Sequence, residues 1–139
     1  MPMPCFPNEP PPPALHVLVV EDDPVACEFM RKMLAGQNCA RVISATVEDA
    51  INAFVRMAPD LVFLDIHLGD RKYNGLDVLQ VMRIYDERVK IVVISGDDDP
   101  GTIAQATREG AYGFIGKPLP ASRILHYIRE CDRVCYKQA

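Results

Sequence analysis

The sequence lacks a basic excess. Its 15 Lys plus Arg are outnumbered by 19 Asp plus Glu, for a formal net charge of −4, so it offers no electrostatic footprint for holding nucleic-acid phosphates or an anionic membrane. It lacks any uninterrupted apolar stretch near the ~18–20 residues that cross a bilayer, and its N-terminus has neither the basic region nor the apolar core of a secretion signal. The expectation is a soluble, cytoplasmic protein. A CxxC pair is missing as well. The five cysteines, Cys5, Cys27, Cys39, Cys131 and Cys135, are odd in number, which argues against a disulfide framework or zinc knuckle and for reduced, mostly buried thiols. Cys131 and Cys135 share a helical face at i, i+4, but with no His or Cys nearby, core packing outweighs metal binding. Internal repeats are absent.

What remains is ordinary globular composition, 49% hydrophobic and 24% charged over 139 residues, which suits one domain. Seven of the 12 prolines, Pro2, Pro4, Pro7, Pro10, Pro11, Pro12 and Pro13, precede Ala14. Proline removes the backbone donor that helices and central strands need, so residues 1–14 read as an extended, disordered tail and residues 15–139 as the domain. The alternative for the tail, a polyproline ligand for an aromatic groove, lacks a basic flank.

Apolar runs alternate with helix-period stretches through that domain. Residues 17–20 form a short β-branched run, after which Asp23 suits a helix cap and Pro24 its first turn. Val25, Phe29, Met30, Met33 and Leu34 recur at helical spacing up to Gly36. A second strand over 41–45 leads into Thr46-Val47-Glu48-Asp49, a capping box with Asp in place of Glu, and a helix up to Met57 that Pro59 stops. Residues 61–64 form an apolar strand running into Asp65, followed by a loop containing Gly69 and Gly75 and a helix striped by Leu76, Leu79 and Met82. A strand over 91–94, a short helix over 103–108, a strand over 113–116 and a helix striped by Ile124, Leu125, Ile128 and Cys131 complete the chain. Five strands alternating with five helices imply βαβ units, a parallel sheet buried on both faces, and a doubly wound α/β sandwich. In such folds ligands bind beyond the carboxyl ends of the strands, where strand order reverses.

Glu21 and Asp22 stand at the end of the first strand, Asp65 at the third, Ser95 at the fourth and Lys117 at the fifth. Three carboxylates at one edge repel each other, and a hard divalent cation relieves that repulsion. Magnesium takes oxygen ligands and is usually held by one or two carboxylates plus a phosphate, so this edge reads as a Mg²⁺ and phosphoryl site with a carboxylate nucleophile available. Asp97, Asp98 and Asp99 read as a solvated turn entering the next helix at Pro100. With Asp23 they bring to seven the acids at or beside this edge, so the acidity is local.

These residues, in this order, resemble the receiver domain of two-component response regulators (the CheY-like superfamily). The likeness runs from about Leu15 to the last helix, with 43 positions from Asp22 to Asp65, 30 to Ser95 and 22 more to Lys117. It implies the flavodoxin-like strand order 2-1-3-4-5. It implies that Asp65 accepts a phosphoryl group from a phosphohistidine of a sensor histidine kinase or phosphotransfer protein. Mg²⁺, with Mn²⁺ as substitute, would be held by Glu21, Asp22, Asp65 and the backbone carbonyl of His67. Lys117, aimed by a cis bond to Pro118, and Ser95 would bind the phosphate, and Phe114 would be the aromatic switch responding to Ser95. The only chemistry implied is self-phosphorylation and autodephosphorylation. Signal would pass to an output domain or partner through the fourth helix, fifth strand and last helix, where a homodimer can also form.

Some details depart from the family pattern. The loop from Asp65 to Gly75 is about two residues longer, Gly69 stands where a proline is common, and Phe114 has no hydroxyl, so a switch there works by packing. His67, two positions beyond the acceptor, would shield or admit the hydrolytic water. The rival from another class is a Mg²⁺-dependent aspartyl-phosphate phosphatase of the haloacid dehalogenase type. Such enzymes place the nucleophile in Asp-x-Asp after the first strand, which Glu21-Asp22-Asp23 does not supply. A mononucleotide or flavin binder needs a Gly-rich turn there, also absent.

Overall fold

Strands form where β-branched and other apolar residues follow one another without helical period, and each is succeeded by an amphipathic helix. The computed structural model describes residues 15–68, 75–96 and 100–138, with side chains described to 131. The expected tail over 1–14, the Gly69 position, the acidic loop 97–99, and the side chains of Cys5 and Cys135 lie outside the described residues. In chain order the elements are β1 (Leu15–Val20), α1 (Pro24–Ala35), β2 (Cys39–Ser44), α2 (Val47–Met57), β3 (Leu61–Asp65), α3 (Gly75–Tyr85), β4 (Lys90–Ser95), α4 (Pro100–Arg108), β5 (Gly113–Gly116) and α5 (Ala121–Gln138). The sheet order is β2-β1-β3-β4-β5 with every pairing parallel. This is the expected doubly wound α/β architecture.

Side chains alternate across the sheet and feed two cores. Val17, Val19, Leu61, Phe63, Val92 and Ile94 pack with Met30 and Leu34 of α1 and Ile124 and Ile128 of α5. Leu18, Val20, Val62, Leu64, Ile91 and Val93 pack with Phe54 of α2, Leu79 and Met82 of α3 and Ala106 of α4. Burial on both faces explains why the central strands read as continuous apolar runs rather than alternating ones. Among the thiols, Cys39 and Cys131 are buried and Cys27 is half-buried.

Several boundaries differ from the sequence expectation. β1 begins at Leu15 because the backbone of His16 is engaged: its N–H donates to Asp60 Oδ2 at 2.9 Å and its carbonyl accepts from Asp60 N at 2.8 Å. β2 runs Cys39–Ser44 rather than 41–45; it is the sheet edge, and its half-exposed pattern gives a weak signal. α4 starts at Pro100, since proline fits a first helical turn. Asp23 caps α1, accepting from the amides of Val25 and Ala26. Thr46 Oγ1 caps α2 by accepting from Asp49 N at 3.1 Å. α2 ends at Ala58, which takes the left-handed conformation (φ 46°) immediately before Pro59. Gly75 approaches Ile66 so closely that a Cβ there would lie 2.1 Å from Ile66 Cα. Its amide donates to the Ile66 carbonyl at 3.1 Å, which pins the start of α3 beside the end of β3.

The register aligns the strand ends. Val20 pairs with Leu64, Asp65 with Ile94, and Ser95 with Gly116, so the residues that follow emerge together on one edge. The chain diverges there, from β1 outward to β2 and from β3 outward to β4, which opens the crevice.

Candidate functional site

Glu21, just past β1, is 1% exposed. Its amide donates to the Ser44 carbonyl at 3.0 Å. Its Oε1 accepts from Asp23 N at 3.0 Å and from Lys117 Nζ at 3.2 Å. Its Oε2 is also 3.2 Å from Nζ as an ion pair, but without hydrogen-bond directionality, so this buried oxygen accepts no hydrogen bond. Asp65, the last residue of β3, is likewise 1% exposed. Its Oδ1 accepts from His67 N at 2.8 Å and its Oδ2 from Lys117 Nζ at 2.9 Å. Asp22 is exposed at the rim, and each of Glu21, Asp22 and Asp65 offers an oxygen within 4.8 Å of the others.

Lys117 therefore spans two buried carboxylates that are 96 and 52 positions away in sequence. Burial alone would depress its pKa, but its bonds to Asp65 and Glu21 raise it above the ordinary lysine value, so it is a fixed cation here. Glu21 is pushed up from 4.5 to about 7, first by burial and further by the neighbouring Asp65 charge, against the opposing Asp23 amide and Lys117. One ammonium facing three carboxylates leaves a net charge of −2 when all are ionised. That excess, an oxygen-only donor set and an unbonded buried oxygen on Glu21 all fit a hard divalent cation such as Mg²⁺.

Ser95 closes β4 fully buried, and its carbonyl accepts from Lys117 N at 2.9 Å, so it sits beside the cation by backbone connection. The Lys117–Pro118 bond is cis. Phe114 is half-buried on β5 and packs with the core under α2, α3 and α4, not with the carboxylates. His67 is exposed, with its amide rather than its imidazole on Asp65. Two contacts escaped the sequence reading. The Cys27 thiol donates to the Glu21 carbonyl at 3.1 Å. Arg123, on α5, donates to the Phe114 carbonyl at 3.0 Å and to the Tyr127 hydroxyl at 3.3 Å. No motif announces either contact, because the bonds to Glu21 and Phe114 end on main-chain carbonyls whose direction only the fold sets.

Comparison with known proteins gives a consistent result. The family profile described as the response regulator receiver domain matches residues 17–129. The nitrogen assimilation regulatory protein NtrX of Azorhizobium caulinodans is 30% identical over 112 residues, covering 81% of this chain and 25% of that protein. The DNA-binding response regulator MtrA of Mycolicibacterium smegmatis is 30% identical over 114 residues, covering 82% of this chain and 49% of that protein. The chain thus spans a quarter to a half of these relatives' length. Among solved structures, the receiver domain of NtrX from Brucella abortus superimposes with a TM-score of 0.77 at 30% identity, covering 84% of this chain and 98% of that one. Among the described residues no helix is long and apolar enough to cross a membrane.

Proposed function

This chain belongs to the response regulator receiver domain family of two-component systems, and from that premise we propose that Asp65 is its phosphoacceptor. The observation that carries the assignment is Lys117 Nζ held between Asp65 Oδ2 and Glu21 Oε1, beside a buried oxygen that accepts no hydrogen bond. A carboxylate oxygen of Asp65 attacks the phosphorus of a phosphohistidine, and the bond to the imidazole nitrogen breaks. The electron pair stays on that nitrogen, which takes up a proton, and an acyl phosphate remains on Asp65. Water later cleaves it at phosphorus. Lys117, already bonded to Asp65, offsets the charge on the transferred oxygens. The His67 amide orients the carboxylate by holding Oδ1. Glu21, Asp22, Asp65 and the His67 carbonyl would hold Mg²⁺, which supplies neutralisation of the phosphoryl oxygens.

Ser95 donates its hydroxyl to the acyl phosphate, and Phe114 reports that movement by repacking on β5. His67, exposed two positions from the acceptor, sets how readily water reaches the phosphoryl group. The donor is a sensor histidine kinase or phosphotransfer protein, and the output is a partner or further domain docking on α4, β5 and α5, a face that also serves a homodimer. The acidic balance gives residues 15–139 no nucleic-acid role of their own, and the compartment is the cytoplasm.

The test is incubation with acetyl phosphate and Mg²⁺ followed by intact mass. One acid-stable, base-labile phosphoryl adduct should form and be lost in Asp65→Asn. Turnover of phosphomonoesters instead would favour the phosphatase reading.

A further inference from the structure

Arg123 is an exposed residue of the first turn of α5, yet its guanidinium turns back onto the sheet. Its Nη2 donates to the Phe114 carbonyl at 3.0 Å and to the Tyr127 hydroxyl at 3.3 Å. β5 stands last in the sheet order, so among the described residues no strand lies along its outer side, and a carbonyl facing outward there needs a donor from elsewhere. Arg123 supplies one. Tyr127 fixes the direction of the guanidinium. It is 8% exposed, packed in the core shared by α1 and α5, and its hydroxyl lies against the main chain of Gly113, where a Cβ would come within 2.2 Å of it.

The bond from Arg123 to Phe114 spans nine positions, and Lys117 lies inside that span. On the strand side, the Lys117 amide donates to the Ser95 carbonyl at 2.9 Å. The residue before it adds no packing, since a Cβ on Gly116 would meet nothing within 4 Å. On the helix side, the amides of Arg123 and Ile124 donate to the Pro120 carbonyl at 3.2 and 3.3 Å, so the far end of the loop moves with the first turn of α5. Arg123 thus grips both ends, by its amide at Pro120 and by its side chain at Phe114. The geometry asked of the loop is exacting. Lys117 Nζ must stand 3.2 Å from Glu21 Oε1 and 2.9 Å from Asp65 Oδ2 at once, and a displacement of about 1 Å breaks such an arrangement. A loop closed by a side-chain bond has less freedom to wander from that position.

We propose that Arg123 is a positioning residue for phosphoryl transfer, closing the loop that carries Lys117 so that the ammonium stays between Asp65 and Glu21. The proposal rests on the reading of Asp65 as phosphoacceptor. Arg123 touches neither acid in this arrangement. It acts through Lys117, and its effect exists only while Lys117 is there to be positioned.

The test uses Arg123→Met, which keeps the apolar stem and removes the donors, and Arg123→Lys, which restores one donor. The first readout does not involve phosphoryl transfer: ¹H–¹⁵N spectra of lysine ammonium protons. Exchange of the Lys117 protons with water should quicken by roughly three- to tenfold in Arg123→Met, the range expected for one hydrogen bond, and return most of the way in Arg123→Lys. The second is phosphorylation by acetyl phosphate with Mg²⁺. It should slow by the same factor in Arg123→Met, recover in Arg123→Lys, and show no further loss when Arg123→Met is added to Lys117→Gln. Unchanged Lys117 exchange in Arg123→Met would overturn the proposal. So would equal losses from Arg123→Met with and without Lys117, which would mark a general structural effect. Absence of any Asp65 adduct in the unaltered protein would instead sink the phosphoacceptor reading, and ammonium exchange would still decide whether Arg123 holds Lys117.

Discussion

At the residue scale, Lys117 holds two acids at once. Its ammonium neutralises Asp65 and Glu21 within hydrogen-bond distance, and it competes with any divalent cation for the same oxygens. Replacing it with glutamine should therefore separate two effects. Phosphorylation by acetyl phosphate should slow by ~10²–10³-fold, the usual cost of removing one charge-stabilising donor. Mg²⁺ binding should tighten, because Coulomb attraction to the acids is no longer shared. Calorimetric titration with Mg²⁺ beside mass-resolved kinetics checks both, and weakened Mg²⁺ binding in Lys117→Gln would contradict the competition. Glu21, Asp22, Asp65 and Lys117 were legible in the sequence because each is a charged residue directly after an apolar strand, where a solvated surface residue has no reason to recur. The division of labour among them was not. That Glu21 keeps one buried oxygen outside any hydrogen bond while Asp65 has both engaged depends on contacts across up to 96 positions, and spacing along the chain carries no such information.

At the element scale, the helix ends separate what composition can signal from what it cannot. Thr46 and Asp23 act as caps through side-chain oxygens that accept amide protons, a chemistry visible in their residue types. α2, by contrast, stops on an exposed alanine in the left-handed region, where an L side chain costs roughly 1–2 kcal/mol. Pro59 signalled the stop but not its conformation. Ala58→Gly should relieve that strain, less the added unfolded-state entropy of glycine, and stabilise the domain by up to about 1 kcal/mol. A higher urea midpoint at unchanged slope would register it; a lower midpoint would count against the strain. The strand ends of the central sheet were similarly legible, whereas edge strand β2 was misplaced because half-exposed residues dilute its pattern. On the opposite side, Tyr112 ties the loop before β5 to α5. Its hydroxyl donates to Glu130 Oε2 at 2.6 Å and Lys90 Nζ lies 4.8 Å from its ring centre. The Glu130 bond, with some burial, pushes the phenol from 10.0 up to about 12. A folded value above the ordinary one means that this contact is whole below pH ~10 and lost as pH rises towards 12. Absorbance titration at 295 nm should show one late-ionising tyrosine that disappears in Tyr112→Phe.

At the scale of the molecule, the two hydrophobic cores and the acidic edge pull in opposite directions. The cores hold five strand ends in register, and that register forces Glu21 and Asp65 together out of solvent, where their charges oppose folding unless neutralised. With all three acids ionised, Lys117 supplies one positive charge against three negative ones, so the fold without a cation carries a residual electrostatic penalty at this edge. A cation that binds only the assembled edge must then stabilise the whole domain by RT ln(1 + [Mg²⁺]/Kd), about 2.7 kcal/mol at a hundredfold excess over Kd. The expected result is a thermal midpoint that climbs with the logarithm of Mg²⁺ concentration and falls back when a chelator is added. Glu21→Gln removes one buried charge and one ligand together. Relative to the unaltered, metal-free protein it should melt higher, and its midpoint should respond to Mg²⁺ far less. If the two proteins gained equally from Mg²⁺, the cation would be acting elsewhere on the surface rather than at Glu21, Asp22 and Asp65.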